Sequence, residues 1–328
     1  MLVQNLIIEE FRGIKRCNSP INLSPLTVLI GRNNSGKSTI LEALSLLPSP
    51  NIFDYFTEDE KIGSLLSLHR SYRKESKDYR PLLYLYSGTS KIKYLIEGQI
   101  VEIQIDEISS RAMIKGEKIV NNKQICEFFH VNFDRSEQLR NLVLHIPNDS
   151  SITVKMEERM ESLKELIVKY GYHVDVAKRL NESIDDEYSE IVFLRPISIR
   201  KVFPHNFTYI ELRDLGSGAE KAIKIMSLIE AINPKLLLID DFETGFHPSL
   251  IKVVLNWLKD RKWQTVISTH SIDVLYELVE INPIDTTILQ LHKSNEDILS
   301  YKILTLEKLK NYLNSNTDPR LLVDALHL

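Results

Sequence analysis

Residues 31–38 read Gly-Arg-Asn-Asn-Ser-Gly-Lys-Ser, a loop bounded by two glycines and closed by Lys37 and Ser38. The apolar stretch 27–30 precedes this loop, and residues 38–47 have the character of a helix. In such a strand, loop and helix, backbone N–H groups turn toward a bound anion, and the helix N-terminus adds positive potential. The pattern G-x-x-x-x-G-K-[ST] in this context predicts a phosphate-binding loop within an α/β fold.

A second element stands at 235–241, where an apolar run ends in Asp240 and Asp241. A strand ending in carboxylates can complete a magnesium–nucleotide site. Asp240 would hold Mg²⁺ directly or through water, and Asp241 would orient the attacking water. In the loop, Lys37 would bring positive charge to the β- and γ-phosphates, and the Ser38 hydroxyl would bind Mg²⁺. Taken alone, the run could also be an edge strand followed by an acidic turn.

Composition narrows the class of protein. The 328 residues, 43% hydrophobic and 26% charged, are ordinary for a soluble globular chain with one large core, or with a core and a smaller lobe. The net charge of -4 argues against a generally basic nucleic-acid binder. Cys17 and Cys126 lack disulfide or metal-ligand spacing, which favours a reducing, cytoplasmic location. No apolar run approaches the roughly 20 residues of a membrane helix, so we expect no membrane contact.

The middle of the chain has a different pattern of apolar and polar residues. Apolar and polar residues alternate from Ile92 to Ile105 around Gly98, which predicts an antiparallel hairpin with one solvated face. Further strands are expected at Leu142–Ile146 and Ile152–Lys155. An apolar stripe from Met156 to Tyr170 predicts a helix that packs on the core.

The last third again has α/β character. Strands are expected at Leu236–Ile239 and Thr265–Ser268, with a helix from about Pro248 to Arg261 between them. We therefore expect a single α/β domain over 1–328 with a mixed β-sheet and an antiparallel β sub-sheet. The nucleotide core would come from 1–50 and 190–328, with an inserted β/helical lobe at about 51–189.

Two further motifs resemble a known class. Leu215-Gly216-Ser217-Gly218 opens an amphipathic helical pattern, and the run 266–270 reads as a strand that ends in His270. They resemble the signature motif and the switch histidine of ABC-type P-loop ATPases. The class-defining residues also follow one another in the order and at the spacing of that class: Lys37, Ser217, Asp240 and His270.

Within this class the chain is similar to the OLD (overcoming lysogenization defect) family and to RecF-like ATPases of the AAA-21 type. The similarity is carried by Ile8-Glu9-Glu10-Phe11-Arg12-Gly13-Ile14-Lys15, by the phosphate loop, and by Asp240-Asp241-Phe242-Glu243-Thr244-Gly245-Phe246-His247-Pro248. It covers residues 1–48 and about 212–280.

The resemblance implies ATP and Mg²⁺ as cofactors and a homodimer with composite ATP sites. Ser217 and Gly218 of a second copy would donate hydrogen bonds to the γ-phosphate from the start of a helix. Asp241, His270 and Glu243 are the implied catalytic residues, and Arg12 would approach the nucleotide. On one copy, ATP would be held by Gly31, Asn33, Asn34, Ser35, Gly36, Lys37, Ser38 and Thr39, with Ser38 and Asp240 on the metal.

The sequence also departs from the family pattern. Asp241 stands where the family usually has Glu, and its carboxylate reaches one methylene less far. Three consequences are open: the attacking water lies nearer, hydrolysis is slow, or Glu243 contributes. Slow hydrolysis is the preferred interpretation. OLD nucleases continue into a Toprim domain, for which 271–328 is too short, so we expect a stand-alone ATPase whose separate effector is another polypeptide or a nucleic acid. The family's Q-loop glutamine has only Gln99 and Gln104 as candidates by position, and exposed strand residues are the preferred interpretation of both.

The expected function is a dimerising ATPase that acts as a switch or motor in DNA-related processes: repair, mobile elements or antiviral defence. The segment His69–Arg80 combines basic and aromatic residues that could bind DNA or RNA, although such charge runs are more often solvated loops. Two alternatives stay open. One is a regulatory ATP-binding protein with very slow hydrolysis. The other, less favoured because His247 replaces an expected Asp, is a transporter ATPase subunit.

Overall fold

The computed structural model describes residues 1–68, 79–119 and 121–320. Its strands, in chain order, are β1 (Asn5–Phe11), β2 (Ile14–Cys17), β3 (Ile21–Asn22), β4 (Leu26–Ile30), β5 (Ser90–Ile96), β6 (Gln99–Ile105), β7 (Ser110–Ile114), β8 (Glu117–Lys118), β9 (Val143–Ile146), β10 (Tyr188–Val192), β11 (Ser198–Phe203), β12 (Asn206–Glu211), β13 (Leu236–Ile239), β14 (Gln264–Ser268), β15 (Thr286–Lys293) and β16 (Ile298–Leu304).

The α-helices of the described residues are α1 (Lys37–Ser45), α2 (Ile62–Leu68), α3 (Asn122–Phe129), α4 (Ser150–Ser162), α5 (Lys164–Lys169), α6 (Tyr172–Leu180), α7 (Ser217–Ile232), α8 (Pro248–Lys259), α9 (Ile272–Ile281) and α10 (Leu306–Asn314). None of these helices combines the length and the apolar character needed to cross a bilayer.

Most strands belong to one mixed sheet, in the order β8-β7-β6-β5-β1-β2-β16-β15-β4-β14-β13-β9, with β3 paired to β1. The run from β15 to β9 is parallel throughout. The strands β10, β11 and β12 form a separate antiparallel sheet. The predicted α/β fold, with a mixed sheet and an antiparallel sub-sheet, is confirmed. In open α/β sheets, ligands bind beyond the carboxyl ends of the parallel strands, so a ligand site is expected at that edge of the sheet.

The parallel strands are buried on both faces, as their apolar sequences predict. Along β13, Leu237 and Ile239 face the cluster formed with α7, α8 and α9. The alternate residues Leu236 and Leu238 face the cluster formed with α1 and the antiparallel strands. The sheet is therefore the wall between two hydrophobic cores, and it fixes the loops at its carboxyl edge.

The hairpin predicted from the alternation at 92–105 is confirmed as β5 and β6. Its inward face buries Ile92, Tyr94 and Ile103 completely. The Tyr94 hydroxyl donates a hydrogen bond to the carbonyl oxygen of Ala43 in α1 at 2.6 Å. This contact joins the antiparallel half of the sheet to the helix that follows the phosphate loop.

The predicted strand Ile152–Lys155 is wrong, because these residues lie within α4. The side chain of Asp149 accepts a hydrogen bond from the backbone N–H of Ser151, at 2.8 Å, and so caps a helix start that the β-branched residues concealed. The helix predicted from Met156 to Tyr170 is also interrupted, since α4 ends at Ser162 and α5 begins at Lys164.

The division into a nucleotide core and an inserted lobe at about 51–189 stays a prediction. One strand of that middle segment, β9, pairs in parallel with β13 of the predicted core. The basic and aromatic segment predicted at His69–Arg80 lies outside the described residues apart from Tyr79 and Arg80.

Candidate nucleotide site

The phosphate loop leaves the end of β4 and enters α1. Gly31 has φ 150° and Gly36 has φ 100°. A Cβ at Gly31 would lie 2.7 Å from both the carbonyl oxygen of Leu291 and Oγ of Ser35, so no side chain fits there. Nζ of Lys37 donates to the carbonyl oxygens of Gly31 and Arg32, at 3.0 Å each. Its ammonium group is thereby held within the loop.

A cavity of about 360 Å³ opens against this loop. Residues from five separate parts of the chain line it: Gly13, Ile14, Asn33, Asn34, Ser35, Gly36, Lys37, Ser38, Thr39, Asp241, His270 and Lys293. The structure therefore brings together most of the loop residues predicted to hold ATP and two of the residues predicted to be catalytic. It adds Lys293, which the sequence did not single out.

The acidic end of β13 lies beside this cavity. Oγ of Ser268, at the end of the neighbouring strand β14, donates to Oδ1 of Asp240 and accepts the backbone N–H of Asp241 at 2.8 Å. Burial lowers the pKa of Lys37, and the charges of Asp241, Asp240 and Glu243 oppose that shift. The lysine and the three carboxylates thus share one electrostatic environment, as a site for Mg²⁺ and a triphosphate requires.

The Asp241 carboxylate lies close to two side chains, those of His270 and Asn148. Nε2 of His270 is 3.7 Å from its Oδ1. The backbone of Asp241 is left-handed, with φ 43°. Non-glycine residues seldom adopt this conformation, and it is enriched at functional sites. Glu243 contacts the histidine differently, because its Oε1 accepts the backbone N–H of His270 at 2.7 Å. Glu243 thereby fixes the end of β14, and its catalytic role stays a prediction.

Asn148 is a site residue that the sequence analysis missed. It follows β9, the parallel neighbour of β13, and its Nδ2 donates to Oδ2 of Asp241 at 2.9 Å. Gln99 and Gln104 belong to β6, in the antiparallel half of the sheet, and neither lines the cavity. Only the pairing of β9 with β13 brings Asn148 to Asp241, and that pairing is not readable from local sequence.

Asn148→Ala is expected to lower kcat for ATP hydrolysis about tenfold with little change in KM, because the partner that orients Asp241 is lost. Steady-state phosphate release measures both constants. Gln104→Ala is the control and should match the wild type. Unchanged kcat in Asn148→Ala would show that the bond to Asp241 is incidental.

The signature-like turn is exposed and lies apart from the cavity of its own copy. Gly216 precedes the first turn of α7, no side chain caps that turn, and Ser217 is exposed. Such a helix start presents free N–H groups and positive potential to an anion. A Cβ at Gly218 would lie 2.3 Å from the carbonyl oxygen of Gly245, so this glycine allows the turn to pack against the loop after β13.

Arg12, predicted to approach the nucleotide, does not line the cavity. Its side chain is buried, and Nε donates to Oε2 of Glu42 at 2.8 Å. The other guanidinium nitrogens donate to the carbonyl oxygens of Pro81 and Leu66. In this structure Arg12 joins β1 to α1 and α2, and its predicted role at the nucleotide has no support from these contacts.

The predicted metal ligands fit Mg²⁺ by their chemistry. Ser38 lines the cavity, Asp240 directly precedes Asp241, which also lines it, and both side chains carry oxygen ligands. Within the described residues, no group of three or more His, Cys, Asp or Glu side chains could hold a metal alone. Magnesium commonly takes one or two protein oxygens and completes its shell with water and phosphate, so this sparse donor set is sufficient.

The loop after β4, the carboxylates after β13 and the histidine after β14 define the chain as a P-loop ATPase with an ABC-type core. It belongs to the AAA ATPase domain family AAA_15, whose model matches residues 1–191. The signature-like turn, Asp240 and His270 follow the matched range.

Two curated relatives are similar to the chain. The ATP/GTP phosphatase of Helicobacter pylori (strain ATCC 700392 / 26695) is 22% identical over 335 residues, which cover 85% of this chain and 87% of the relative. The Old nuclease of Escherichia phage P2 is 25% identical over 339 residues, covering 82% of this chain. The alignment spans 56% of the nuclease's length. These similarities confirm the resemblance to OLD-type ATPases.

Solved heads of SMC proteins share the fold. An SMC head bound to the C-terminal winged-helix domain of ScpA has a TM-score of 0.65 at 11% identity, covering 94% of this chain and 99% of that chain. The SMC head domain from Thermotoga maritima has a TM-score of 0.53 at 15% identity, covering 93% and 100%. At these identities the likeness establishes the ABC-type fold alone.

Proposed function

We propose that this ATPase closes two copies of itself around ATP and acts as a switch or motor in a DNA-related process, together with a separate effector. The observation that carries the proposal is the position of the turn at Ser217. It presents uncapped helical N–H groups to solvent, outside the cavity that contains Lys37 of the same copy. A second copy can bring this turn to the open side of that cavity.

Within one copy, the loop backbone and Lys37 would bind the β- and γ-phosphates. Mg²⁺, held by Ser38 and Asp240, would neutralise phosphate charge when bound. Asp241 would accept a proton from the attacking water, oriented by the hydrogen bond from Asn148. His270, whose side chain lines the same cavity, would contact the γ-phosphate. These groups follow the carboxyl ends of β4, β9, β13 and β14, which supports the proposed roles.

Across the pair, the N–H groups at Ser217 and Gly218 would donate to the γ-phosphate bound by the other copy. ATP would then be a shared ligand that favours the closed pair, and hydrolysis would release it. Because each site needs both chains, ATP binding and association would be thermodynamically linked.

The names of the similar proteins support the DNA-related part of the proposal. One is a nuclease of a phage, and SMC heads have been solved in complex with a domain of another protein. By analogy, this ATPase would work inside the cell on DNA or RNA or through a partner protein.

Mixing two inactive variants tests the composite site. Lys37→Ala disables the loop, and Ser217→Arg blocks the turn. In a mixed pair, the intact loop of the second variant meets the intact turn of the first, so one complete site forms. We expect phosphate release from the mixture to exceed clearly the sum of the two variants measured separately.

Two controls accompany this mixture. Lys37→Ala combined with Ser217→Arg in one chain, mixed with Lys37→Ala, contains no intact loop and should stay inactive. The size of the wild type, measured by light scattering, should increase toward a pair with ATP and Mg²⁺. An inactive mixture whose variants are folded and associate would contradict the shared site.

A second candidate is a regulatory protein that binds ATP and hardly hydrolyses it. It is favoured by Asp241, whose carboxylate reaches one methylene less far than the glutamate usual in the family. The side chain is also already engaged by Asn148. In this variant of the proposal, ATP binding alone would drive association.

A further inference from the structure

The backbone of His270 is held from both sides. Its N–H donates to Oε1 of Glu243 at 2.7 Å, and its carbonyl oxygen accepts a hydrogen bond from Nη1 of Arg320, 50 positions further along the chain. The imidazole that lies between these two contacts lines the nucleotide cavity. A side chain leaves its backbone in only a few rotamers, so fixing both peptide groups limits the positions that the imidazole can take.

The guanidinium of Arg320 is itself fixed by Asp318. Nε donates to Oδ1 at 2.9 Å and Nη2 donates to Oδ2 at 2.5 Å, so the two planar groups meet through a pair of hydrogen bonds. The backbone N–H of Arg320 also donates to Oδ1 of Asp318 at 2.9 Å. These hydrogen bonds lower the pKa of Asp318 and raise the pKa of Arg320, so both groups stay charged. A two-point contact of this kind sets the orientation of the guanidinium, and with it the direction of Nη1.

A buried glutamine ties the same segment, residues 318–320, to the parallel sheet. Nε2 of Gln290 donates to the carbonyl oxygen of Pro319, and both residues are buried. Gln290 lies on β15 opposite Ile30, the last residue of β4 before the phosphate loop. His270 follows β14, the neighbour of β4 on its other side. Residues 318–320, which we call the 318–320 clamp, therefore connect the two strands that flank β4, at the edge where the nucleotide cavity opens.

We infer that Arg320 is a positioning residue for ATP hydrolysis, and that the 318–320 clamp acts by holding His270 at the nucleotide cavity. The inference rests on the proposed function, in which His270 contacts the γ-phosphate, and it names the residues that keep His270 in place. Arg320 does not itself line the cavity, so its effect on the reaction passes through His270. Groups that are already in position need no rearrangement at the moment of reaction, which is where their catalytic benefit lies.

The charges around the clamp favour an arginine at this position. The charges of Asp273, in the first turn of α9, and of Glu243 add to the attraction of Asp318 and also raise the pKa of Arg320. Glu243 thus accepts the N–H of His270 and attracts the guanidinium that holds the carbonyl of His270. A lysine at position 320 would keep the positive charge, but it lacks the planar fork that contacts Asp318 and His270 together.

The test measures kcat and KM for ATP hydrolysis, by steady-state phosphate release, in Arg320→Ala, His270→Ala and the double variant. Loss of a residue that orients a reacting group costs about tenfold or more in activity. We expect Arg320→Ala to lower kcat about tenfold with little change in KM. Because Arg320 acts through His270, the double variant should be no slower than His270→Ala. Arg320→Lys should recover part of the lost kcat. Arg111→Ala, which removes an exposed arginine of β7, is the control and should match the wild type.

The possible outcomes separate the clamp from the proposed function. If Arg320→Ala has the kcat of the wild type while His270→Ala is slow, the clamp is refuted and the proposed function stands. A further tenfold loss in the double variant, relative to His270→Ala, would show that the two residues act independently and would also refute the clamp. If His270→Ala hydrolyses ATP like the wild type, the role proposed for His270 fails, and the clamp fails with it. Thermal unfolding checks each variant. If Arg320→Ala does not fold, Asp318→Asn takes its place in the same cycle, with a smaller loss of kcat expected in the same direction.

Discussion

Lys37→Ala is expected to reduce ATP hydrolysis by at least about 100-fold, in the range seen when one preorganised stabilising group is removed from a reacting centre. The variant should also lose ATP-dependent association. Lys37 is 5% exposed, lies within the phosphate loop and faces the carboxylates after β13. Alanine leaves those carboxylates without an opposing charge beside a triphosphate. Phosphate release and light scattering with ATP and Mg²⁺ measure the two losses.

Lys123→Ala is the matched control, since its side chain is 66% exposed on α3, away from the cavity. It should hydrolyse ATP like the wild type. Thermal unfolding of both variants separates loss of function from loss of fold. Normal hydrolysis by folded Lys37→Ala would rule out the loop as the phosphate site.

Asp241→Asn is expected to lower hydrolysis by about 10²- to 10³-fold while ATP binding persists, because an amide cannot take a proton from the attacking water. The substitution keeps the size of the side chain. The ATP-bound pair should therefore accumulate. Single-turnover phosphate release and particle size, both with saturating ATP and Mg²⁺, provide the measurement.

Two further variants test whether the loss is specific to the Asp241 carboxylate and whether the length of its side chain limits the rate. Glu243→Gln should be much milder if Glu243 acts only through the backbone N–H of His270. Asp241→Glu, with the longer side chain, reports whether reach limits the rate. If the wild type, Asp241→Asn and Lys37→Ala are equally inactive and Lys37→Ala alone loses ATP-dependent association, ATP binding without turnover is the function.

Local sequence was enough to predict the elements that carry their own signal. The glycines of the phosphate loop, the apolar strand before Asp240 and the alternation across β5 and β6 each reflect a constraint within a few neighbouring residues. The strand predicted at Ile152 is wrong, although it too was predicted from a few neighbouring residues. A nearby cap at Asp149 outweighed the β-propensity of a short run.

What the sequence could not predict depends on pairings between distant segments. Asn148 reaches Asp241 across 93 positions, through the neighbouring strands β9 and β13. The Tyr84 hydroxyl likewise reaches Asp297, which follows β15, across 213 positions. Arg12 shows the converse case. Its position in a familiar motif predicted a nucleotide contact, and its guanidinium is instead engaged by Glu42 and two carbonyl groups.

The contact between Gly218 and Gly245 bears on how two active sites would communicate. A side chain at 218 would collide with the carbonyl of Gly245, and Lys221 in the same helix donates to the carbonyl oxygen of Thr244 at 2.9 Å. The helix proposed to contact the neighbouring copy's ATP is thus packed against the loop that follows this copy's own carboxylates. In the proposed pair, ATP hydrolysis in one copy would disturb the contact that this copy makes with the ATP of the other. ATP hydrolysis at the two sites would therefore be coupled, and kinetic measurements would show the two sites turning over together and not independently.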